Sequence, residues 1–227
     1  MPGSQLVVEL AHDLRSPLTS ILMLTDEILA GRAGPTTDKQ RRQLDLIYAA
    51  ALSLCSTAGD VVDFARGGNR LEDEAREPLS LGQVLGDVRD MVLPIAEEKG
   101  LALSLATPLG DRRLGHFRAL SRVLLNLTTN ALKFTDEGSV TMTARSTAGD
   151  RIEFAVRDTG PGISSAGLST LYQPFRSTGT RTSFSGSGLG LTICQRLVTA
   201  MGGDLQVKTR TPGGTRFAFE LELPPAA

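Results

Sequence analysis

The 227 residues include 41% apolar and 22% charged side chains, an ordinary globular composition with apolar surface enough for one large domain or two smaller cores. With 24 basic residues against 25 acidic ones, no overall field draws nucleic acid or an anionic membrane. The absence of tryptophan and of any basic stripe interleaved with aromatics argues further against nucleic-acid binding.

No run nears the ~18 consecutive apolar residues that span a bilayer, so no membrane contact is predicted for this segment. The start "MPGSQLVVEL" carries neither a basic leader nor a cleavage site, which reads as a cytoplasmic piece, compatible with a parent anchored through an upstream region. Cys55 and Cys194 stand far apart in apolar helical patterns and read as two buried thiols, with neither disulfide nor zinc-type spacing.

In chain order, Val7, Leu10, Leu14, Pro17, Ile21, Leu24 and Ile28 recur at steps of three and four, the seam of a bundle helix. After a break at "AGRAGPTTD", residues 30–38, the alternation resumes with Leu44, Ile47, Ala51, Leu54, Ala58, Val61 and Ala65. Such a hairpin cannot bury its stripes alone, so two hairpins are predicted to pair into a four-helix bundle, a homodimer. The polar, glycine-containing residues 67–77 read as a linker, which divides the chain into a hairpin domain of 1–66 and a second domain of 78–227.

The second domain alternates helix and strand signals. A helix is predicted over 81–99, a short strand at "LALSLA", a long helix over 117–134, and strands at "SVTMTARS" and "RIEFAVRD". A helix over 189–201 follows, then a strand pair, "DLQVKTR" and "TRFAFELEL", joined by "TPGG". The expected architecture is an α+β sandwich, one mixed sheet covered by helices.

Three clusters in this domain exceed the needs of packing. In "RVLLNLTTNALKFT", Asn126 and Asn130 share a helix face at i, i+4, with Lys133 at i+3 from Asn130. The amides and the ammonium could hold a hydrated magnesium ion with its phosphates, or they are a solvated helix face. In "RDTGPGI", Asp158 at a strand end could accept from an exocyclic amine such as that of adenine, while Gly160 and Gly162 let the backbone approach a flat ring; a tight turn is the plainer reading. In "GSGLGLTI", Gly186, Gly188 and Gly190 run into a helix whose exposed amides could cradle phosphate, and a flexible loop would use the same residues.

The order of these clusters carries more than any one of them. "NLTTNALKF", "DTGPGI", "YQPF" and "GSGLGL" resemble, in sequence order, the N, G1, F and G2 boxes of the ATP-binding domain of sensor histidine kinases, and "AHDLRSPLTSI" resembles their phosphoacceptor H box. The resemblance implies a dimeric helical hairpin followed by the GHKL, or Bergerat, α/β sandwich. Its implied cofactors are ATP and Mg2+.

By resemblance His12 is the phosphoacceptor, on the bundle face away from the Leu10 and Leu14 seam. Asp13 orients its imidazole or takes its proton, and Ser16 stands where the family more often has threonine or asparagine that positions water for dephosphorylating the regulator. Pro17 is expected to bend the helix just beyond the site. Asn130, supported by Asn126, would hold magnesium, Lys133 would contact phosphate, and Asp158 would read the adenine amine beside Gly160 and Gly162. Gly186, Gly188 and Gly190 would close over the phosphates. Phe175 would anchor a mobile lid over 176–185, from which Arg176 or Arg181 would reach the γ-phosphate.

The chain departs from the family pattern at His116, Phe117 and Ala119, where an acid, a proline and an arginine are common, and at Gln173 in place of a frequent glutamate. His116 therefore reads as structural or surface-exposed, not as a second phosphoacceptor. The implied activity is a protein histidine kinase that passes its phosphoryl group to an aspartate of a response regulator, with a regulator phosphatase activity as its companion. The alternatives are a catalytically inactive phosphotransfer adaptor or pseudokinase, against which the intact boxes count, and a clamping ATPase, which would carry a glutamate base in place of Asn126.

Overall fold

The computed structural model describes residues 2–65, 75–108, 112–173, 190–210 and 213–226. The chain forms two compact units, one built on the first two helices and the other, among the described residues, on 75–173 and 191–226.

In the first unit α1 (Pro2–Leu29) and α2 (Asp38–Ala65) pack as a hairpin. Thr37 opens α2: its hydroxyl accepts from the Gln40 amide at 3.3 Å, and the Gln40 side chain returns a bond to Thr37 N at 2.9 Å, a reciprocal cap. α1 runs on across Pro17, whose missing N–H leaves one ladder bond unmade.

The predicted seam divides in two. Of its members Ala51 and Ala58 are buried within the hairpin, together with Leu18 and Thr25, which the seam did not include, whereas the seam residues Ile21, Leu24, Ile47 and Leu54 are 40%, 59%, 48% and 56% exposed. The 3–4 alternation marks apolar positions but not which neighbour covers them, and here it merged an intrachain stripe with an open one.

The second unit runs β1 (Glu77–Ser80), α3 (Leu81–Glu98), β2 (Ala102–Ala106), β3 (Arg112–Gly115), α4 (Phe117–Phe134), β4 (Ser139–Ser146), β5 (Arg151–Asp158), the single turn α5 (Ser165–Leu168), α6 (Gly190–Ala200), β6 (Gln206–Arg210) and β7 (Gly214–Glu222). Five strands make one sheet in the order β2-β4-β5-β7-β6, parallel only between β2 and β4.

Alternate residues of the central strands, Val140, Met142, Ile152, Phe154, Val156, Phe217, Phe219 and Leu221, turn inward against the apolar stripes of α3, α4 and α6. Phe154 and Phe219, directly paired across strands, stack with ring centroids 5.3 Å apart. This core holds α4 against the sheet, and α4 carries the predicted asparagines.

A second, two-stranded sheet of β1 and β3 was not anticipated. Its other flank is taken by the C-terminal segment: Leu114 N donates to Pro224 O at 2.8 Å and Ala226 N to Arg112 O at 3.1 Å. "EPLS" and "RRLG" have neither length nor alternation to announce strands, and pairing across the fold makes them so. Among the described residues no helix is long and apolar enough to cross a membrane.

Candidate functional site

One face of α4 is apolar and fully buried through Leu120, Val123, Leu124, Leu127 and Leu132. Asn126 lies at the margin of that face, buried at 6% exposure, and Asn130 and Lys133 follow along the same flank, each half-buried. The i, i+4 spacing thus brings both carboxamides to one side of a helix whose other side is locked in the core. Among the described residues the Asn130 carboxamide has no hydrogen-bond partner.

The Lys133 ammonium stands 5.1 Å from the centroid of the Phe134 ring, and burial lowers its pKa below the ordinary lysine range. A cation stripped of part of its hydration gains most from an anion placed beside it.

Asp158 is the last residue of β5 and is buried at 8% exposure. Its Oδ1 accepts from Gly160 N at 2.9 Å and from Thr215 N at 3.1 Å. Burial pushes the carboxyl pKa upward, and the amides of Gly160, Thr215 and Asp158 itself oppose that shift by bonding to the charged form. A carboxylate has about four lone-pair sites, so capacity remains for an external amine.

The glycines of the loop serve the protein's own packing. A Cβ on Gly160 would come within 2.8 Å of Phe134 O, and one on Gly162, at φ +78°, within 1.9 Å of Arg210 O. The close approach predicted for a ligand ring is made, at these two positions, by the end of α4 and by the β6–β7 hairpin.

That hairpin is the part the sequence did not single out. Thr215 N bonds Asp158, Thr209 Oγ1 accepts from Ile163 N at 2.8 Å, and Gly214 packs so closely that an added Cβ would meet Asp158 O at 2.0 Å. Threonines flanking "PGG" were the one available signal, and they served only to mark a turn. The site therefore gathers the C-terminal turn of α4, Asp158, Gly160 and Gly162, and the facing ends of β6 and β7 at Thr209, Arg210, Gly214 and Thr215.

Other predicted residues lie apart or outside the description. Gly190 is the half-buried first residue of α6. Phe175, Arg176, Arg181, Gly186, Gly188, the predicted lid over 176–185 and most of the predicted linker lie outside the described residues. His12 and Asp13 fall within α1, but their side chains also lie outside the described residues; Ser16, one turn past His12, is exposed. Gln173 is exposed, and His116 is the N-cap residue of α4, half-buried, with Nδ1 enclosed and unbonded. A cavity of about 800 Å³ lined by Glu77, Gln83, Arg112, His116 and Arg118 contains none of the predicted site residues.

The donor set suits magnesium, which takes oxygen ligands and keeps several waters: two amide oxygens on one helix flank, one of them on a carboxamide with no other described partner. Among the described residues no three His, Cys, Asp or Glu side chains gather as a metal cluster.

Comparisons with known proteins bear on both units. A family described as "His Kinase A (phospho-acceptor) domain" matches residues 4–70, and one described as "Histidine kinase-, DNA gyrase B-, and HSP90-like ATPase" matches residues 115–225. The signal transduction histidine-protein kinase BarA of Escherichia coli K12 is 32% identical over 230 residues, covering 97% of this chain and 24% of BarA. The aerobic respiration control sensor protein ArcB of the same strain is 30% identical over 224 residues, covering 96% of this chain and 28% of ArcB. The chain thus spans about a quarter of the length of these curated relatives. Among solved structures, full-length ShkA in complex with AMPPNP aligns at a TM-score of 0.70 and 32% identity, over 98% of this chain and 46% of that one.

Proposed function

Because the chain belongs to the sensor histidine kinases of two-component systems, we propose that it binds ATP with magnesium in the sheet-containing unit, phosphorylates its own His12, and passes that phosphoryl group to an aspartate of a response-regulator receiver domain. The observation that carries the proposal is Asp158, a buried carboxylate anchored by two backbone amides beside the C-terminal turn of α4. Rigid anchoring of Oδ1 makes the group a fixed acceptor for the exocyclic amine of adenine, so base recognition costs little reorganisation. The AMPPNP bound to ShkA supports a nucleotide as the ligand.

In this reading Asn130, with Asn126 behind it, holds magnesium, which would supply charge neutralisation at the phosphates. Lys133, its hydration already reduced, binds a phosphate oxygen. Gly186, Gly188 and Gly190 give the phosphates backbone amides, Phe175 anchors the lid, and Arg176 or Arg181 meets the γ-phosphoryl group.

At His12 a neutral imidazole nitrogen forms the N–P bond as the bond to the ADP oxygen breaks, and Asp13 takes the imidazole proton. The protein's contribution is positioning and charge, as in other phosphoryl transfers. Ser16 keeps a hydroxyl exposed on the helix turn after His12, suited to orient water during regulator dephosphorylation.

We assign residues 1–66 to dimerisation and phosphotransfer, 67–77 to the linker and 78–227 to nucleotide binding. The open stripe of Ile21, Leu24, Ile47 and Leu54 favours a second hairpin as its cover, a homodimeric four-helix bundle. ATP as the proposed substrate favours the cytoplasm for these residues.

Incubation of the chain with γ-labelled ATP and magnesium tests the proposal. The expected label is acid-labile, alkali-stable and absent from His12→Gln. Nucleotide binding with no label at all would favour the inactive adaptor, and retained labelling of His12→Gln would refute the site.

A further inference from the structure

The last four carbonyls of an α-helix have no intrahelical N–H partner. At the end of α4, Ala131 O is taken by Thr135 N at 3.1 Å and Thr135 Oγ1 at 2.7 Å, which leaves Leu132, Lys133 and Phe134. A side chain from another helix meets two of these. The Lys99 ammonium donates to Leu132 O at 2.7 Å, to Lys133 O at 3.3 Å and to Thr135 O at 2.6 Å, which uses all three of its hydrogens.

Lys99 is itself fixed, as the C-cap residue of α3 with its backbone N–H on Ile95 O and Glu97 O and its side chain 28% exposed. The Asp136 carboxylate, at 3.8 Å and 96% exposed, is too solvated to compete for it. A cation at the negative end of a helix is also favoured by the helix dipole.

The remaining carbonyl, Phe134 O, faces Gly160, where an added Cβ would approach it to 2.8 Å. The last turn of α4 is therefore gripped on one side by Lys99 and abuts the Asp158 loop on the other. Asn130 and Lys133 project from this end of the helix.

We infer that Lys99 is a positioning residue for the phosphate side of the nucleotide site: its ammonium fixes the terminal turn of α4, and with it the backbone that presents Asn130 and Lys133 to magnesium and phosphate. The inference rests on the nucleotide-binding reading of α4 given above. Lys99 touches no substrate atom in this account. The base side has its own anchors, the amides of Thr215 and Gly160 on Asp158.

That asymmetry separates positioning from general stabilisation. Dissociation constants are measured for AMPPNP with magnesium and for adenosine, on the whole chain carrying Lys99, Lys99→Met or Lys99→Arg. Lys99→Met keeps the stem and removes the donors, so magnesium-AMPPNP should bind about tenfold more weakly, while adenosine, which has no phosphate for Lys133 to meet, changes less than twofold. Lys99→Arg, which restores donors, should recover most of the loss.

Unchanged magnesium-AMPPNP affinity in Lys99→Met, or an equal loss for both ligands without rescue by arginine, overturns the inference. Should Lys99→Met fail to fold, Lys99→Gln, which retains a donor, takes its place under the same criteria. Failure of the unsubstituted chain to bind either ligand would instead refute the nucleotide-binding reading itself.

Discussion

Replacing Asp158 with asparagine is the most informative single change. The carboxamide has the carboxylate's shape, and its oxygen can still accept from Gly160 N and Thr215 N, at 2.9 and 3.1 Å in the parent. What changes is the other atom, an acceptor turned into an NH2 donor that would face the amine of adenine. Losing a hydrogen bond to a charged acceptor costs about 1.5–3 kcal/mol. At about 1.4 kcal/mol per tenfold, that weakens ATP binding by roughly 10- to 150-fold.

Stability should move the other way. Burial raises the folded-state pKa of Asp158 above its unfolded value, so the fold disfavours the charged form. This group's stabilising contribution is therefore greatest below the ordinary aspartate pKa and falls as pH rises through the raised folded value. Asp158→Asn removes that dependence and should be at least as stable as the parent at pH 7. Calorimetric titration with ATP and thermal unfolding between pH 4 and pH 7 read both effects. Nucleotide affinity equal to the parent's would refute the role of Asp158 in base recognition, and a loss of stability at pH 7 would refute the account of its burial.

Other expectations follow from the same geometry. His12→Gln should lose all acid-labile phosphorylation and keep the parent's ATP affinity, measured by labelling and calorimetry on one preparation. Asn130→Ala should abolish autophosphorylation and change the thermal midpoint little, because its carboxamide bonds no other described residue; a rate within twofold of the parent would remove it from the site. Gly162→Ala forces a side chain into φ +78° and its Cβ to 1.9 Å from Arg210 O. The left-handed conformation alone costs about 1–2 kcal/mol, and displacement of the β6–β7 turn should add to it, read as a lowered denaturant midpoint.

The elements legible in the sequence were those whose stabilising partners repeat at a local period. α4 was read to both of its ends because an apolar stripe of Leu120, Val123, Leu124, Leu127 and Leu132 runs its whole length. β4 and β5 were read because inward and outward residues alternate around a turn. β1 and β3 escaped because four-residue strands bearing a proline or paired arginines have no period, and only their pairing makes them strands. The hairpin seam was legible as apolarity but not as partnership, so Ala51 and Leu54 looked alike until the packing separated them, and the buried Leu18 fell outside the period altogether.

The same division holds in the site. Asn126, Asn130 and Asp158 stand in motifs whose members are neighbours along the chain. Their supports do not: Thr215 lies 57 residues from Asp158, Thr209 lies 46 from Ile163, and Lys99 lies 33 from Leu132. A lysine after a helix and a threonine after a glycine turn are ordinary in sequence, and only the fold makes them anchors.

The small sheet around β3 has a geometric consequence. The polypeptide comes into the second unit along β1 and runs out along 224–226, and these two segments flank the same strand. Glu77 stands opposite Gly115 and Ala226 opposite Arg112, so entrance and exit lie at opposite ends of β3. Two strand spacings of about 4.8 Å across and three residues of about 3.3 Å along put them roughly 14 Å apart. A loop of about five residues spans that distance, so joining exit to entrance should permit circular permutation of this unit without disturbing α4 or Asp158.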